Sequence, residues 1–328
     1  MSIFSVTGST KSEPYSGNDI VPIGIRPIND FAFKKTFGSP ENKLALISLL
    51  NSILKLSNPI VDVQIENPYN LQDFQEDKLS ILDIKAVDQA GAIYDVEMQL
   101  TIFNGLIQRI VFYGCEIFAG QLRAGDDYTR LKPAFSICLL DGILWPDSQK
   151  VHHAFRFTDL ESGRILDDTL EIHTLELGRY DLQEEDLATA SMLDCWIHWL
   201  LHAHEYEPEE LLRLFPQDAI RLATQTLTQI SEVTEDRAMY DAREKAIRDH
   251  QWELNASRNQ GLAEGKREGA IEGEIRGKIK GKIETIQMLQ DILQLPASVD
   301  SDFAGKSLEE LQELIAQLQD QIRNRRSS

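Results

Sequence analysis

An α/β fold that passes into a helical C-terminal region is what this sequence predicts, on three observations. Two segments of strictly alternating apolar and polar residues flank a glycine-bearing turn in "LDIKAVDQAGAIYDVEMQL", Leu82 to Leu100. Apolar residues recur at helical spacing on both sides of that unit. A near-continuous apolar run, "KPAFSICLLDGILW", follows and reads as a strand buried on both faces.

The elements can be taken in order. In "FGSPENKLALISLLNSIL", Ser39 offers an N-cap, Pro40 suits the first helical position, and Leu44, Ile47, Leu50 and Leu54 keep helical spacing. "PIVDVQIENP" is a short strand ended by Pro68. The hairpin comes next, then a second helix in "NGLIQRIVFYGCEIFAGQLRAG", then the buried strand. "HHAFRFTDL" and "TLEIHTLEL" extend the sheet before a mainly helical, acidic region from about Leu182 to His250. The chain therefore divides into a polar N-terminal tail (1–20) expected to be disordered, an α/β domain (21–180), an acidic helical region (181–250) and a C-terminal helical part (251–328).

The hairpin poses a chemical question. Gly91 can take the left-handed position that closes a three-residue loop of Gln89, Ala90 and Gly91. Pairing Asp88 with Ala92 then sets Lys85 opposite Asp95 and Asp83 opposite Glu97, with Cβ atoms about 4.5–5.5 Å apart. Opposed carboxylates repel unless something positive lies between them, and a hard divalent cation with oxygen ligands is the usual reason to keep such a pair.

Composition bounds what the cation serves. The chain has 328 residues, 42% of them apolar, enough for a real core. No long uncharged apolar run suits a membrane span. The first residues lack the basic-then-apolar order of a secretory signal, and three scattered cysteines (Cys115, Cys138, Cys195) suit a reducing cytoplasm, not a disulfide framework. The net charge of −20 is concentrated in residues 146–236, with 6 basic against 20 acidic side chains, whereas residues 20–145 hold 11 against 15. Global acidity therefore says little about the hairpin's partner.

At "NDFAFKKTFGSPENKLALISLLNSIL", "KLSILDIKAVDQAGAIYDVEMQ" and "QLRAGDDYTRLKPAFSICLLD" the chain resembles the Rpn group of recombination-promoting nucleases, the PD-(D/E)XK family transposases. The blocks match in the right order from roughly Arg26 to Asp141, with weaker continuation to about Tyr180. The resemblance implies a restriction-endonuclease-like core, a mixed sheet flanked by helices, and metal-dependent DNA cleavage that can promote recombination. It implies Asp83 and Glu97 as ligands, with the main-chain carbonyl of Met98, of a divalent ion: Mg²⁺ first, with Mn²⁺ and Ca²⁺ open. Gln99 stands where the wider superfamily often has Lys. It can orient a water but cannot carry charge or a proton, so a weakly cutting DNA-binding or scaffold protein is the competing expectation.

Neighbouring residues have double readings. Glu41, in the first turn of the first helix, can reach the metal's water shell, but the helix dipole alone favours a carboxylate there. Lys85 can pair across the strands with Asp95 or contact the scissile phosphate. Lys34, Lys35, Arg109 and Gln121 can touch the DNA backbone, which positions DNA without specifying sequence. In "WIHWLLHAHE", His198 and His202 have zinc-like spacing, yet among Trp196, Trp199 and Leu200 they read better as core residues. "AGKS" lacks the rest of a phosphate loop, and Ser307 with Glu310 makes a capping box instead.

The last pattern is a ladder. Gly261, Gly265, Gly269, Gly273, Gly277 and Gly281 recur every fourth residue, with Ile271, Ile275, Ile279 and Ile283 offset by two. As a helix this costs about 1 kcal/mol per glycine. Close packing of a second copy along residues 261–285 can recover that cost, so a homo-oligomer is expected; the alternative is a flexible linker.

Overall fold

The computed structural model describes residues 22–66, 84–167 and 169–326. The chain first forms a helix that the sequence periodicity does not reveal, α1 (Asp30–Phe37), capped by the Asn29 side chain, which accepts from the amides of Phe31 and Ala32. Phe31, Phe33 and Phe37 are all buried, so no polar face is left to mark a helical period. Ser39 does not cap the next helix. Its hydroxyl donates to the Lys35 carbonyl at 2.6 Å, Pro40–Asn42 make a 3₁₀ turn, and α2 (Lys43–Leu54) follows. Leu44, expected on the apolar stripe, is exposed; Leu46, Leu49, Leu50 and Ile53 supply the buried face.

Six strands form one sheet in the order β1-β2-β3-β4-β6-β5. They are β1 (Val63–Ile65), β2 (Ile84–Asp88), β3 (Ile93–Gln99), β4 (Ala134–Leu140), β5 (His152–Phe155) and β6 (Leu170–Glu176). β1, β2 and β3 run antiparallel, β3, β4 and β6 parallel, and β5 antiparallel to β6, so the sheet is mixed. The parallel step from β3 to β4 is bridged by α3 (Leu106–Ala119).

Alternation sorts the side chains. Tyr94, Val96 and Met98 of β3, with Phe135, Ile137 and Leu139 of β4, enter the large core beneath α1 and α2. Cys138 and Leu140 face the other way and pack on Leu106 and Ile110 of α3. β4 is buried along its whole length, as its apolar run demands.

The acidic helices belong to the same core. α4 (Met192–His202), α5 (Pro208–Leu214) and α6 (Asp218–Glu232) place Trp196, Trp199, Leu211 and Leu227 against Phe37, Leu46 and their neighbours. Phe37 meets the edges of both tryptophans at centroid distances of 5.4 and 6.1 Å. The start of α7 (Thr234–Leu293) is fastened to the N-terminal segment. The Tyr240 hydroxyl accepts from the Arg26 amide (3.0 Å), Asn29 donates to Glu244 (2.9 Å), Arg243 meets Asp30 at 2.7 Å, and Lys35 pairs with Asp236.

Residues up to 247 form one compact unit and residues 248–328 a second. In the second, the end of α7 and α8 (Leu308–Arg326) bury Ile286, Leu289, Leu293, Phe303, Leu311 and Ile315. Ser307 and Glu310 make the expected capping box. The glycine ladder is helical throughout, and a methyl group added at any of its six glycines would meet no atom within 4 Å. Among the described residues no helix is long and apolar enough to cross a membrane.

Candidate active site

The hairpin closes as its turn chemistry requires. The Asp88 amide donates to the Ala92 carbonyl (3.0 Å), Gly91 sits at φ +86°, and the ladder sets Lys85 opposite Asp95 and Ile84 opposite Val96. Asp88 also accepts from the amides of Ala90 and Ala92 and from the Tyr94 hydroxyl, which locks the loop. Asp83 lies outside the described residues, and so does its pairing with Glu97.

Every residue of β3 is buried, yet every second one is polar from Asp95 onward. Asp95, Glu97 and Gln99 are 2%, 7% and 8% exposed, and all three point to the α3 side of the sheet. Burying two carboxylates and an amide in a row is costly for a strand whose only task is packing. Asp95 was read from the sequence only as a strand partner for Lys85; the alternation of three polar side chains on one buried strand is the signal that places it with Glu97.

Arg109 comes to the same place from the first turns of α3. Its guanidinium lies over the Tyr113 ring (5.2 Å), and its Nε is buried without a hydrogen-bond partner among the described residues. Cys138 reports the local field, because it pairs in register with Glu97. Burial pushes its thiol pKa up, the carboxylates of Glu97 and Asp95 push it further, and Arg109 draws it down. The carboxylates of the buried row and the half-buried Arg109 guanidinium thus both act on the Cys138 thiol.

Gln99 uses its amide nitrogen to donate to the Thr101 carbonyl (2.9 Å), while its Oε1 is buried with no hydrogen-bond partner among the described residues. The Gln99 main-chain carbonyl accepts from the Asp141 amide on the β4 side (3.0 Å). Successive carbonyls of a strand alternate, so that of Met98 is directed to the β2 side, where the described ladder has ended. Glu97, the free Gln99 oxygen and the Met98 carbonyl are hard oxygen donors around one strand end, which suits a Mg²⁺-like ion. Among the described residues no group of three or more His, Cys, Asp or Glu is placed to hold a metal, and Asp83 is not among them.

The other expected residues lie elsewhere. Lys85 is on the same face as Asp95, and its ammonium is 3.3 Å from Glu66. Glu41 is exposed in the turn before α2, with no hydrogen bond or ion pair to the β3 row among the described residues. Lys34, expected on DNA, is 3% exposed with its stem packed over Gly38, and Lys35 is committed to Asp236. Both sit on α1, which packs among helices that the local sequence does not show. Gln121, also expected on DNA, is a clasp: it donates to the Lys132 carbonyl and accepts from the Lys132 amide, both at 2.9 Å. His198 is a core residue, with Nε2 3.0 Å from the Tyr206 hydroxyl.

Comparison with curated proteins and with solved structures finds no significant match. The model of one protein family, described as PD-(D/E)XK nuclease family transposase, matches residues 27–257, a span that takes in the sheet, α3 and the helices packed on the opposite face. With the mixed sheet and its buried acidic strand, that match over most of its length makes this chain a member of the PD-(D/E)XK nuclease family transposases.

Proposed function

We propose that this chain is a metal-dependent endonuclease that hydrolyses phosphodiester bonds in DNA. The observation that carries the reading is the buried row Asp95, Glu97 and Gln99 on one strand face. Glu97, the Met98 carbonyl and Asp83 would hold the divalent ion, Mg²⁺ in preference to Mn²⁺ or Ca²⁺. When bound, the ion supplies positive charge that polarises a phosphate oxygen and strengthens a water as nucleophile. Gln99 Oε1 orients that water, Asp95 keeps Lys85 on the site's face, and Lys85 and Arg109 receive the phosphate charge. Glu41, Lys34, Lys35 and Gln121 have no part in this assignment.

The test is nicking of supercoiled plasmid with and without Mg²⁺. Activity that requires Mg²⁺ and is lost in Glu97→Ala supports the reading; equal cutting by parent and variant removes it. A second reading, a DNA-binding protein that cuts weakly, is favoured by one observation: the Gln99 amide nitrogen is already held by Thr101, and Gln99 supplies no charge. Binding to DNA in EDTA with no Mg²⁺-dependent nicking is its signature.

The six free glycine positions of α7 fit a second copy packed antiparallel along residues 261–285, with Glu264 to Glu274 facing Arg276 to Lys282. The free thiols of Cys115, Cys138 and Cys195 fit a reducing compartment such as the cytoplasm.

A further inference from the structure

Lys85 stands in a row of charge that crosses the sheet. The register of β1 on β2 runs one step past the pair Ile65 and Ala86, with the Glu66 amide donating to the Lys85 carbonyl (2.8 Å), so Glu66 opposes Lys85. On the other side β3 sets Asp95 opposite Lys85. Ile65 and Ala86 pack in the large core, so by alternation Glu66 and Lys85 project from the other face of the sheet, the α3 side, as Asp95 does. Across three strands the row reads carboxylate, ammonium, carboxylate.

The two carboxylates differ in what can replace them. Asp95 is 2% exposed, so a phosphate could take its place only by leaving water itself. The Glu66 side chain is 42% exposed and that of Lys85 36%, with Glu66 Oε2 3.3 Å from Lys85 Nζ. An ion pair this open to solvent is weakly held and changes partners readily. An ammonium carries three donors on a flexible stem, so it can turn from a carboxylate to a phosphate oxygen without moving its strand. The acid is less free to leave. Glu66 directly follows β1, and its amide is bonded to the Lys85 carbonyl, so its charge stays close to any phosphate that Lys85 receives.

Resting on the proposed contact of Lys85 with DNA, we infer that Glu66 is a latch on that contact. Without DNA its carboxylate occupies the place beside Lys85 that a phosphate oxygen takes in the complex, and binding must displace it. Glu66 acts through Lys85 and is therefore a positioning residue. Its effect falls on every duplex alike, because a phosphate contact carries no sequence information.

The experiment measures binding of a fluorescently labelled DNA duplex to the full-length protein in EDTA, which prevents metal-dependent cutting. The proteins are the parent, Glu66→Gln, Lys85→Gln and the double variant. Glu66→Gln keeps the side chain's shape and removes its charge. It should bind about five-fold tighter than the parent at low salt, the upper end for an exposed pair, and the gain should shrink as salt screens it. Lys85→Gln should bind more weakly than the parent, and adding Glu66→Gln to it should change affinity by less than about two-fold. A glutamate with a merely structural role would not show that coupling. No gain from Glu66→Gln, or an equal gain with and without Lys85, overturns the latch and leaves Lys85 as a phosphate contact. Binding by Lys85→Gln as tight as the parent's is a different failure: it removes Lys85 from the DNA contact, and the latch with it.

Discussion

Acid should loosen this fold through His198, and the size of the effect follows from the histidine's surroundings. His198 is 4% exposed, its Nε2 faces the Tyr206 hydroxyl, and that hydroxyl donates to Glu184, so Nε2 carries the proton. Nδ1 is buried without a hydrogen-bond partner among the described residues. Protonating it puts an unpaired charge among Tyr180, Phe215 and the His202 ring. Burial, and then the charge of His202, lowers the His198 pKa from 6.5 to about 4. The unfolded chain therefore binds the proton first as pH falls. Stability is fully present above about 6.5, declines between 6.5 and 4, and changes no further from this group below 4. Between pH 7 and pH 5 the loss is about 2 kcal/mol, at 1.36 kcal/mol per pH unit below 6.5. The assay is urea unfolding at both values, for the parent and for His198→Gln, which keeps a donor for Tyr206. The variant should be somewhat less stable at pH 7 and lose about 2 kcal/mol less on going to pH 5. An identical pH dependence in the two proteins would refute the reasoning, as would a zinc-dependent gain of stability.

The remaining expectations concern the site and the assembly. Gln99→Ala should lower Mg²⁺-dependent nicking less than Glu97→Ala does, because it removes an orienting oxygen and no charge; equal loss would make Gln99 a ligand. If Lys85 and Arg109 are the phosphate contacts, as proposed, log affinity for duplex DNA should fall against log salt with a slope near about −2. A slope twice as steep would mean that further basic residues reach the backbone. Gly→Ala at the six ladder positions should stabilise the isolated helix by up to ~1 kcal/mol each, since the methyl groups meet nothing within the chain, while weakening self-association in light scattering. Unchanged association would exclude the ladder as a contact. Where the ladder does pair, disulfides should join Glu264→Cys to Lys282→Cys; like-with-like crosslinks would indicate parallel helices. The exposed pairs Glu272–Arg276 and Glu274–Lys278 are weak enough to exchange partners.

The hairpin was legible because its whole geometry is local: Gly91 fixes the turn, the turn fixes the register, and alternation fixes the faces. β4 was legible for the same reason, its unbroken apolar run leaving no solvent face. α1 was not, because a short helix buried all round has no polar stripe to betray its period. The intramolecular partners of Lys35 and Gln121 were not legible, for one reason. Each side chain finds its partner through the tertiary fold, Lys35 at Asp236 and Gln121 at Lys132 across a loop, and adjacent residues hold no trace of such partners. The place of α3, which carries Arg109, was legible, since a helix after a hairpin has few places to go except across the sheet it follows. Asp95 went unassigned because a cross-strand lysine gave it a sufficient local explanation.

The bonds from Arg26, Asn29 and Asp30 to the start of α7 bear on how the chain is made. They join segments more than 210 residues apart, with 214 separating the Arg26 amide from Tyr240. At about 5–20 residues per second of synthesis, the first helix waits some 10–40 s for the residues that hold it. Phe37 waits for Trp196 and Trp199 as well, so the layer behind the acidic strand closes only late in this unit's synthesis. A chain that stops before Tyr240 lacks that clasp. Synthesis past Glu244 thereby becomes a condition for order in the unit that carries the acidic strand.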